Sequence, residues 1–436
     1  MSGGRRDNDF TGVGRGYGGA GMTDATVSSW VKAPGSPAAE RWLTRTGCRT
    51  VLVVVPHMTA GSRLADVLPL LEADHRIQVL FTVPTTSDAW HGVEDYVRGW
   101  GGLVLPWHQV LRMRFDLALA SSYTDIDRIA APVIVLPHGT SGQRSRVSPA
   151  IPGGPHRPVF EHPRELLVRN GELVPAAVVL AHEDDASQLR EECPEAEACA
   201  LVAGDICFDR LRASVPFRER YRDALQVGPG QRLVVVSSTW SCHSLFGSNP
   251  GLLPQLLAQL PREEYRVAVA LHPLIWAAHG PWQIRAWLAR QVDAGLLLLP
   301  PEDGWRAALV AADCVIGDQG SVTRYAAALG VPVLLNPDSI HDVRSGSLAA
   351  LLWQLAPTVE TSRPLLGQLV AARAAHSPER YAALAERITS VPGRSGIVLR
   401  WAMYRILGIP EPSRRVPVSP VPLPVVLTRG EQNHVS

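Results

Sequence analysis

The chain has 436 residues, which is long enough for two domains with flanking segments. Hydrophobic residues make up 46% of it and charged residues 19%, a balance that excludes wholesale disorder. The 42 basic and 41 acidic residues leave a formal net charge of +1, which argues against a broadly basic nucleic-acid binder.

The cysteines and the apolar runs bear on location. Six cysteines are thinly spread, with no CxxC motif and no zinc-finger spacing to histidine, so we expect reduced thiols in a cytoplasmic protein. No apolar run reaches the ~18 residues that a membrane-spanning helix needs. The N-terminus also lacks the apolar core of a signal peptide. Contact with a membrane surface is left open.

The N-terminal half predicts alternating strands and helices. Residues 1–46 are expected to form a flexible tail, because their glycines (GVGRGYGG, 12–19) follow no strand and open no helix. From 47 to 213, continuous β-branched runs indicate a parallel sheet buried on both faces. The predicted strands are Thr50–Pro56, Ile77–Val83, Leu103–Leu105, Asp116–Ala120, Val133–Leu136, Ala177–Leu180 and Leu201–Ala203; the helices are Ser62–Ala73 and Asp88–Trp100, the second capped by Ser87 or Asp88.

The pattern starts again in residues 214–395, after a long helix, Phe208–Gln226, that is expected to bend at Pro216. The predicted strands are Arg232–Val236, Tyr265–Leu271, Gly295–Leu299, Cys314–Ile316 and Pro332–Leu335. The predicted helices are Leu252–Leu260, Trp282–Val292, Trp305–Ala311, Ser321–Leu329, His341–Leu355, Pro364–Ala374 and Pro378–Ile388, followed by 396–408. The proline-rich residues 409–436 are expected to be disordered.

Ligands of open parallel sheets bind beyond the carboxyl ends of the strands, so the residues that follow each strand are the site candidates. In the N-terminal half, His138 and Gly139 follow Val133–Leu136. A histidine there, with flexible glycines behind it, is suited to act as a general base or phosphate ligand, or else to cap a helix or satisfy its loop. His57 follows the first strand in the same way.

Two candidate motifs follow strands of the C-terminal half. Ser237, Ser238 and Thr239 come after Arg232–Val236, and small hydroxyl residues at a strand end suit phosphate binding, although a cap and turn cluster has the same composition. His272 precedes Pro273, which stiffens the turn and would fix the direction of the histidine.

The most informative stretch is ADCVIGDQGSVTRYAAALGVPVLL, residues 312–335. A predicted strand ends at Gly317, and the polar turn Asp318-Gln319-Gly320-Ser321 opens an alanine-rich helix. The unpaired amides and the positive dipole end of that helix predict a phosphate site. Gly320 would let a diphosphate approach the backbone closely.

In their order along the chain, these motifs resemble those of GT-B-type glycosyltransferases, and most nearly the CDP-glycerol glycerophosphotransferases. The shared motifs are a His-Gly after a strand, a His-Pro after a later strand, and a polar turn before a helix and a Pro-containing strand (His138-Gly139, His272-Pro273, Asp318–Ser321 through Gly330-Val331-Pro332). The turn is equally similar to the Asp-Ser-Gly-Gly of UDP-N-acetylglucosamine 2-epimerases.

The resemblance implies an α/β protein with two Rossmann-like domains that face each other across a cleft, between disordered N- and C-terminal tails. Residues 47–213 would be the acceptor domain and 214–395 the nucleotide-donor domain. The helix 396–408 would pack back on the acceptor domain. One departure concerns the acidic residue that both families place after the turn, where it holds a ribose, because this chain has Arg324 and Tyr325 there.

We therefore expect a metal-independent transferase that moves a glycosyl or glycerophosphoryl group from a nucleotide-activated donor to an unidentified acceptor. The alternatives are a UDP-sugar 2-epimerase and a non-catalytic binding protein of degenerate GT-B fold. No cofactor, metal or nucleic-acid partner is expected. The expected catalytic residue is His138, the acceptor-side residues are His57 and Gly139, and the donor-binding residues are Ser237, Ser238, Thr239, His272, Asp318, Gln319, Gly320, Ser321 and Arg324.

Overall fold

The computed structural model describes residues 30–35, 41–85, 90–140, 145–147, 156–158, 164–414 and 416–428. Most of the predicted flexible tail lies outside these residues, as does the predicted helix cap at Ser87 or Asp88. In the described part of that tail, Val31 exchanges two hydrogen bonds with the side chain of Gln109, and Ala33 is buried. Residues 30–35 therefore pack on the N-terminal half.

The N-terminal half contains a parallel sheet of seven strands. The strands of the sheet are β1 (Arg49–Val54), β2 (Ile77–Thr82), β3 (Val104–Leu105), β4 (Leu117–Ala120), β5 (Val133–Val135), β10 (Ala177–Leu180) and β11 (Ala200–Val202). Two separate antiparallel hairpins are formed by β6 (Ser145–Val147) with β7 (His156–Pro158) and by β8 (Val168–Arg169) with β9 (Glu172–Leu173). The strand order of the sheet is β11-β10-β5-β4-β1-β2-β3. Helices cover its faces, so its strands consist of apolar residues apart from Arg49, Thr50, Gln78 and Thr82.

The helices of this half are α1 (Met58–Val67), α2 (Val93–Arg98), α3 (Trp107–Val110), α4 (Arg164–Leu167) and α5 (Glu183–Glu192). Two of them, α1 and α2, correspond to the helices that the sequence analysis predicted, and both begin at a different residue. Helix α1 begins four residues earlier than expected, because the side chain of His57 caps it by accepting a hydrogen bond from the Ala60 amide. Helix α2 begins only at Val93, because Gly92 before it has a left-handed backbone (φ +83°).

The two halves are joined by α6 (Ile206–Ser214) and α7 (Arg218–Ala224). The sequence predicted one long helix that bends at Pro216. The structure places a 3₁₀ turn, Val215–Phe217, at that point, so the proline separates two helices. Asp205 caps α6 by accepting a hydrogen bond from the Phe208 amide at 3.0 Å.

The C-terminal half contains a second parallel sheet, of five strands. They are β12 (Arg232–Ser238), β13 (Tyr265–Leu271), β14 (Leu297–Leu298), β15 (Cys314–Gly317) and β16 (Val333–Leu335), in the order β14-β13-β12-β15-β16. Both sheets therefore share one pattern, in which the chain starts at a central strand, moves to one edge and returns to the other side. This is the doubly wound Rossmann topology.

The helices of this half are α8 (Leu245–Ser248), α9 (Leu252–Gln259), α10 (Pro273–His279), α11 (Pro281–Asp293), α12 (Trp305–Ala311), α13 (Ser321–Ala328), α14 (Leu348–Leu355), α15 (Leu365–Ala374) and α16 (Ala382–Ile388). The sequence analysis did not predict α8 and α10. It also began α14 seven residues too early, where the structure has a 3₁₀ turn that starts at Pro337 and a cap at Ser347.

The last helix, α17 (Ser395–Leu407), returns to the N-terminal half. Its side chains Leu399, Met403, Tyr404 and Leu407 belong to the same buried cluster as β1 and β4. The backbone amides of Gly393 and Ser395, just before and at its start, donate to the carboxylate of Asp209 in α6. The chain therefore crosses between the halves a second time.

The segment 409–428 differs from the expectation of a disordered tail. Apart from Arg415, it is described: Ile409 and Val416 pack against the apolar cluster of the N-terminal half, and the residues from 419 onward contact α6, α7 and the C-terminal half. Val421 is buried, its amide donates to Ser214 Oγ, and its carbonyl accepts from Tyr221 Oη. Leu427 forms an antiparallel bridge with Leu298 on the edge strand β14. Proline-rich composition does not exclude order where a sheet edge and buried donors offer partners.

The carboxyl ends of the two sheets meet at one place. In each sheet the strand order reverses beside the first strand, between β1 and β4 and between β12 and β15. Such reversal points leave a crevice at the carboxyl end of the strands. No helix among the described residues is long and apolar enough to cross a membrane.

Candidate functional site

A cavity of about 460 Å³ lies between the two halves. Ten of the predicted site residues line it: His57, His138, Gly139, Ser237, Ser238, Thr239, His272, Gly320, Ser321 and Arg324. Asp318 and Gln319 belong to the same turn but do not line the cavity. Five further residues line the cavity that the sequence analysis did not place among the site residues: Trp90, Trp240, Arg63, Arg306 and Tyr325.

The cavity wall is positively polarised. Of the described residues that line it, three are arginines (Arg63, Arg306 and Arg324), three are histidines, and none is acidic. The N-termini of α1, α10 and α13 also reach it, because residues of their first turns are among the lining. Two of these guanidinium groups pair with buried carboxylates that lie behind the wall, Arg63 with Asp205 and Arg306 with Asp66. The helix amides and Arg324 are therefore the groups of the wall that favour an anionic ligand. Among the described residues, no cluster of His, Cys, Asp and Glu could hold a metal ion.

His57 comes from the end of β1. Its Nδ1 accepts a hydrogen bond from the Ala60 amide at 3.1 Å, so the neutral ring carries its proton on Nε2. Burial, with a smaller contribution from His138, lowers the pKa of His57 to about 3. The ring therefore stays neutral at pH 7 and is a weak base. It stacks on Trp90, with ring centroids 4.8 Å apart.

His138 follows β5, and its ring meets that of His57 edge-on at 5.5 Å. The next residue, Gly139, lies against the C-terminal half: a Cβ there would be 2.6 Å from Ser321 Oγ. A side chain at 139 would have to displace the Ser321 hydroxyl, so glycine allows this approach without moving the serine. The contact brings the His138 loop directly to the first turn of α13.

His272 follows β13 and caps α10, with its Nδ1 accepting from the Leu274 amide at 3.1 Å. This fixes a neutral ring with its proton on Nε2, as in His57. Pro273 occupies the first position of α10, where its missing N–H has no cost and its fixed φ suits the helix. The ring of Trp90 reaches across from the other half to 5.9 Å from His272.

Ser238 and Thr239 differ from the expected phosphate donors. Ser238 Oγ donates to the Thr239 carbonyl at 2.9 Å, and Thr239 Oγ1 donates to Asp318 at 2.8 Å. Both hydroxyl protons are therefore engaged within the protein. Ser238 Oγ also accepts from the Phe246 amide at 2.9 Å. The lone pairs that remain on the two hydroxyl oxygens can accept hydrogen bonds, which suits a ligand O–H or N–H better than a phosphate.

Asp318 does not line the cavity, and its contacts are with the backbone and side chains of the surrounding turns. Its fully buried carboxylate accepts from the Thr239 amide and hydroxyl, the Leu245 amide and the Gly320 amide. Burial raises the pKa of this carboxyl, and the hydrogen bonds act against that rise. The residue joins the ends of β12 and β15 and shapes the turn that precedes α13.

The first turn of α13 offers the predicted anion site. Gly320 stands at its N-cap without a side-chain cap, so the turn's amides are not satisfied by a capping side chain. A Cβ at 320 would be 2.6 Å from Thr239 Cγ2, which explains the glycine. Arg324 is buried one turn later, and its Nη2 donates to Ser321 Oγ at 3.3 Å. Amides, hydroxyl and guanidinium thus converge on one side of the cavity.

No protein-family model matches the chain, and no curated protein matches it. Among solved structures, the wall teichoic acid polymerase TagF superposes with a TM-score of 0.55 at 11% identity, over 83% of this chain and 89% of TagF. A histidine variant of TagF soaked with CDPG gives a TM-score of 0.55 at 12% identity over 83% and 89%.

A further match is HepE from Anabaena in complex with UDP-glucose, with a TM-score of 0.44 at 13% identity over 82% of this chain and 99% of HepE. The likeness to TagF, together with the two doubly wound sheets, shows that the chain has a GT-B glycosyltransferase-like fold of two Rossmann-like halves.

Proposed function

We propose that this GT-B-like chain is a transferase that moves a glycosyl or glycerophosphoryl group from a nucleotide-activated donor to an acceptor. One observation carries the proposal. The carboxyl ends of both sheets meet at an acid-free cavity, where His57, His138 and His272 converge with the first turn of α13. Such a cavity suits a diphosphate ester together with a second substrate that approaches from the N-terminal half.

The donor diphosphate would lie against α13. The amides at Ser321 and the helix dipole favour its negative charge, and the guanidinium of Arg324 adds a full positive charge. His272 would donate through Nε2. Ser237 would contact a phosphate, and the acceptor oxygens of Ser238 and Thr239 would receive hydroxyl groups of the sugar or glycerol. These groups neutralise the diphosphate without a resident cofactor, so none is included in the proposal.

His138 is the proposed general base. It would take the proton of an acceptor hydroxyl as that oxygen attacks the donor. In glycosyl transfer the oxygen bonds to the anomeric carbon and a nucleoside diphosphate leaves. In glycerophosphoryl transfer it bonds to phosphorus and a nucleoside monophosphate leaves. The pKa of His57, about 3, makes its lone pair a poor proton acceptor, so His57 would instead donate through Nε2 to the acceptor side.

The TagF variant soaked with CDPG supports retaining a glycerophosphoryl donor, as well as sugar donors, among the candidate substrates. The first experiment is a thermal-shift and calorimetric screen of UDP, CDP, GDP and dTDP against the purified chain. A ligand that binds only the folded state raises the free energy of unfolding by RT ln(1 + [L]/Kd), and the melting temperature rises with it. The nucleotide that binds defines the donor set to test.

Turnover then separates the function classes. Release of nucleotide from the matching donor that depends on an added acceptor supports a transferase. Conversion of a UDP-sugar without acceptor would show an epimerase instead. Tight binding without either reaction would leave a binding protein. If none of the four nucleotides binds at millimolar concentration, the donor site assigned to α13 is wrong.

A further inference from the structure

Helix α1 of the N-terminal half and helices α12 and α13 of the C-terminal half meet at buried charges. Asp66 in α1 is fully buried, and its carboxylate accepts from Arg210 Nη1 at 2.5 Å and from Arg306 Nη2 at 3.1 Å. Arg306 lies in α12 and also donates to the Ser62 carbonyl and hydroxyl. One carboxylate thus binds guanidinium groups that come from α6 and from the C-terminal half.

A second buried carboxylate forms a closed triad. Asp205 accepts from Arg63 Nη1 at 2.8 Å and from Tyr325 Oη at 2.6 Å. Arg63 Nη2 donates to the same tyrosine oxygen at 2.9 Å. Burial alone would lower the pKa of Arg63, but Asp205 and Tyr325 hold it well above its ordinary value, and burial raises the pKa of Tyr325. At neutral pH the triad is a fixed ion pair with one neutral phenol.

Tyr325 is the member of the triad that lies on α13. Its ring is packed between Phe208 of α6 and Trp305 of α12, at centroid distances of 6.2 and 6.0 Å. It stands four residues after Ser321, so its hydroxyl anchors the same helical turn whose N-terminal amides line the cavity. Tyr325 lies in the region where the resemblance implies an acid that holds a ribose. In this structure its hydroxyl instead donates to Asp205 and accepts from Arg63.

We infer that Tyr325 is a positioning residue, which through Asp205 and Arg63 holds the first turn of α13 in register with the His138–Gly139 loop. The expected effect on kcat rests on the proposed function, whereas the placement of α13 by the triad does not depend on any substrate. The tolerance is small, because Gly139 and Ser321 are already in contact. A displacement of about 1 Å between reacting groups costs on the order of 10²-fold in rate.

Stability alone does not account for the triad. A buried ion pair must offset the desolvation of both charges, and replacing such a pair by apolar side chains is often neutral or stabilising. What the triad supplies is a fixed position for α13: two of its three hydrogen bonds join Tyr325 to Arg63 of α1 and to Asp205 at the start of α6, and the third joins Arg63 to Asp205. Removing the phenol oxygen should therefore loosen the relative placement of the halves more than it unfolds either one.

The test compares two buried tyrosines. Tyr325→Phe removes the hydroxyl from the triad, whereas Tyr221→Phe removes a hydroxyl that donates only to the Val421 carbonyl, at 2.8 Å and away from the cavity. Both variants lose one buried hydroxyl from a residue that is almost fully buried. Melting temperature, amide hydrogen exchange, nucleotide affinity and turnover are measured for both.

The expected result is that both variants melt a few degrees lower. Only Tyr325→Phe should speed amide exchange in residues 138–140 and 321–324, by at least ~10-fold, and lower kcat by ~10-fold or more with the nucleotide Kd within ~3-fold. Equal exchange in the two variants would overturn the inference. A parent protein that neither binds nucleotide nor turns over would instead refute the proposed function, while the exchange measurement would still decide the positioning role.

If Tyr325→Phe does not fold, Arg63→Gln provides the second variant, because it removes the donor to the same tyrosine oxygen and leaves the tyrosine in place. Faster exchange at 321–324 in Arg63→Gln, and not in Tyr221→Phe, would support the inference. Unchanged exchange there would refute it.

Discussion

Gly139 and Ser321 stand face to face across the cleft, so close that the first side-chain carbon added to Gly139 would lie 2.6 Å from Ser321 Oγ. This is a direct contact between the two halves inside the candidate site. Ser321 Oγ also accepts a hydrogen bond from Arg324, so a side chain at 139 that rotates the serine would disturb that bond.

The contact predicts a coupled pair of substitutions. Gly139→Ala should push the serine hydroxyl away from Arg324 and weaken nucleotide binding, whereas Gly139→Ala combined with Ser321→Ala should recover part of the loss. The coupling of contacting residues is typically about 0.5–3 kcal/mol. Calorimetry on both single variants and the double variant measures it. Strictly additive effects would show that the two residues do not touch in solution.

His138→Ala should lower kcat by ~10²–10⁴-fold, with nucleotide affinity and melting temperature close to those of the parent, because a general base acts in the transition state. The control is His182→Ala. That histidine caps α5 through a hydrogen bond from the Asp184 amide and does not line the cavity. Its loss should cost about 1 kcal/mol of stability and leave turnover unchanged. Lower stability with unchanged turnover in His138→Ala would make His138 a residue that supports its loop and would refute its role as the base.

His57 predicts a pH-dependent stability. Its pKa is about 3 in the folded state against an ordinary 6.5, so the unfolded chain binds the proton more readily. The stabilising contribution is complete above pH 6.5 and is lost as the pH falls toward 3. Between pH 7 and 5 the loss should be about 2 kcal/mol.

The measurement is urea unfolding of the parent and of His57→Asn at both pH values. Asparagine keeps the capping acceptor for α1 without a titrating ring. The variant should lose less stability on acidification than the parent. Identical pH dependence in the two proteins would place the pKa of His57 near its ordinary value.

Asp318→Ala should destabilise the fold, because the buried amides of Thr239, Leu245 and Gly320 would lose their acceptor. An unsatisfied buried donor costs about 1–3 kcal/mol. Asp338→Ala is the matched control, since this aspartate follows the next strand but is exposed. Chemical unfolding of both variants measures the difference in stability. Equal unfolding midpoints would contradict the role of Asp318 as the acceptor for these amides.

Removal of the C-terminal segment is the last prediction. A chain that ends at Arg415 loses the buried Val421, two carbonyl acceptors for Arg210 and the partner of β14. We expect a loss of about 2–4 kcal/mol and self-association through the uncovered sheet edge. The comparison is a chain that ends at Thr428, which keeps these contacts. Unfolding midpoints and light scattering report both effects; two chains of equal behaviour would refute the packing role.

Much of the fold was predictable from the sequence because parallel strands buried on both faces are continuous apolar runs. Tyr265–Leu271 and Ala177–Leu180 have the bounds that the pattern predicts. Boundaries failed where a cap or a turn decides them. Helix α1 begins early because a histidine acts as its cap, and α14 begins late because the chain forms a 3₁₀ turn after Pro337.

The site was predictable only where it follows strand ends. His57, His138 and His272 line one cavity because parallel strands end on one side of their sheet. The buried contacts of Arg63, Arg306 and Tyr325 could not be predicted locally, since they join residues far apart in the chain: Arg63 and Tyr325 are 262 positions apart. Likewise, nothing in the letters DQGS reveals that Asp318 turns inward to its own backbone rather than toward the cavity.

The position of α17 in the N-terminal core has a consequence for synthesis of the chain. The N-terminal sheet is made first, yet Leu399, Met403 and Leu407, which complete its apolar cluster, leave the ribosome only after the whole C-terminal half. At ~5–20 residues per second, tens of seconds separate the two events. During that interval the nascent N-terminal half presents an uncovered apolar face. The N-terminal half therefore completes its core only after the C-terminal half has been synthesised, and a chain that stalls before residue 395 should be a substrate for chaperones.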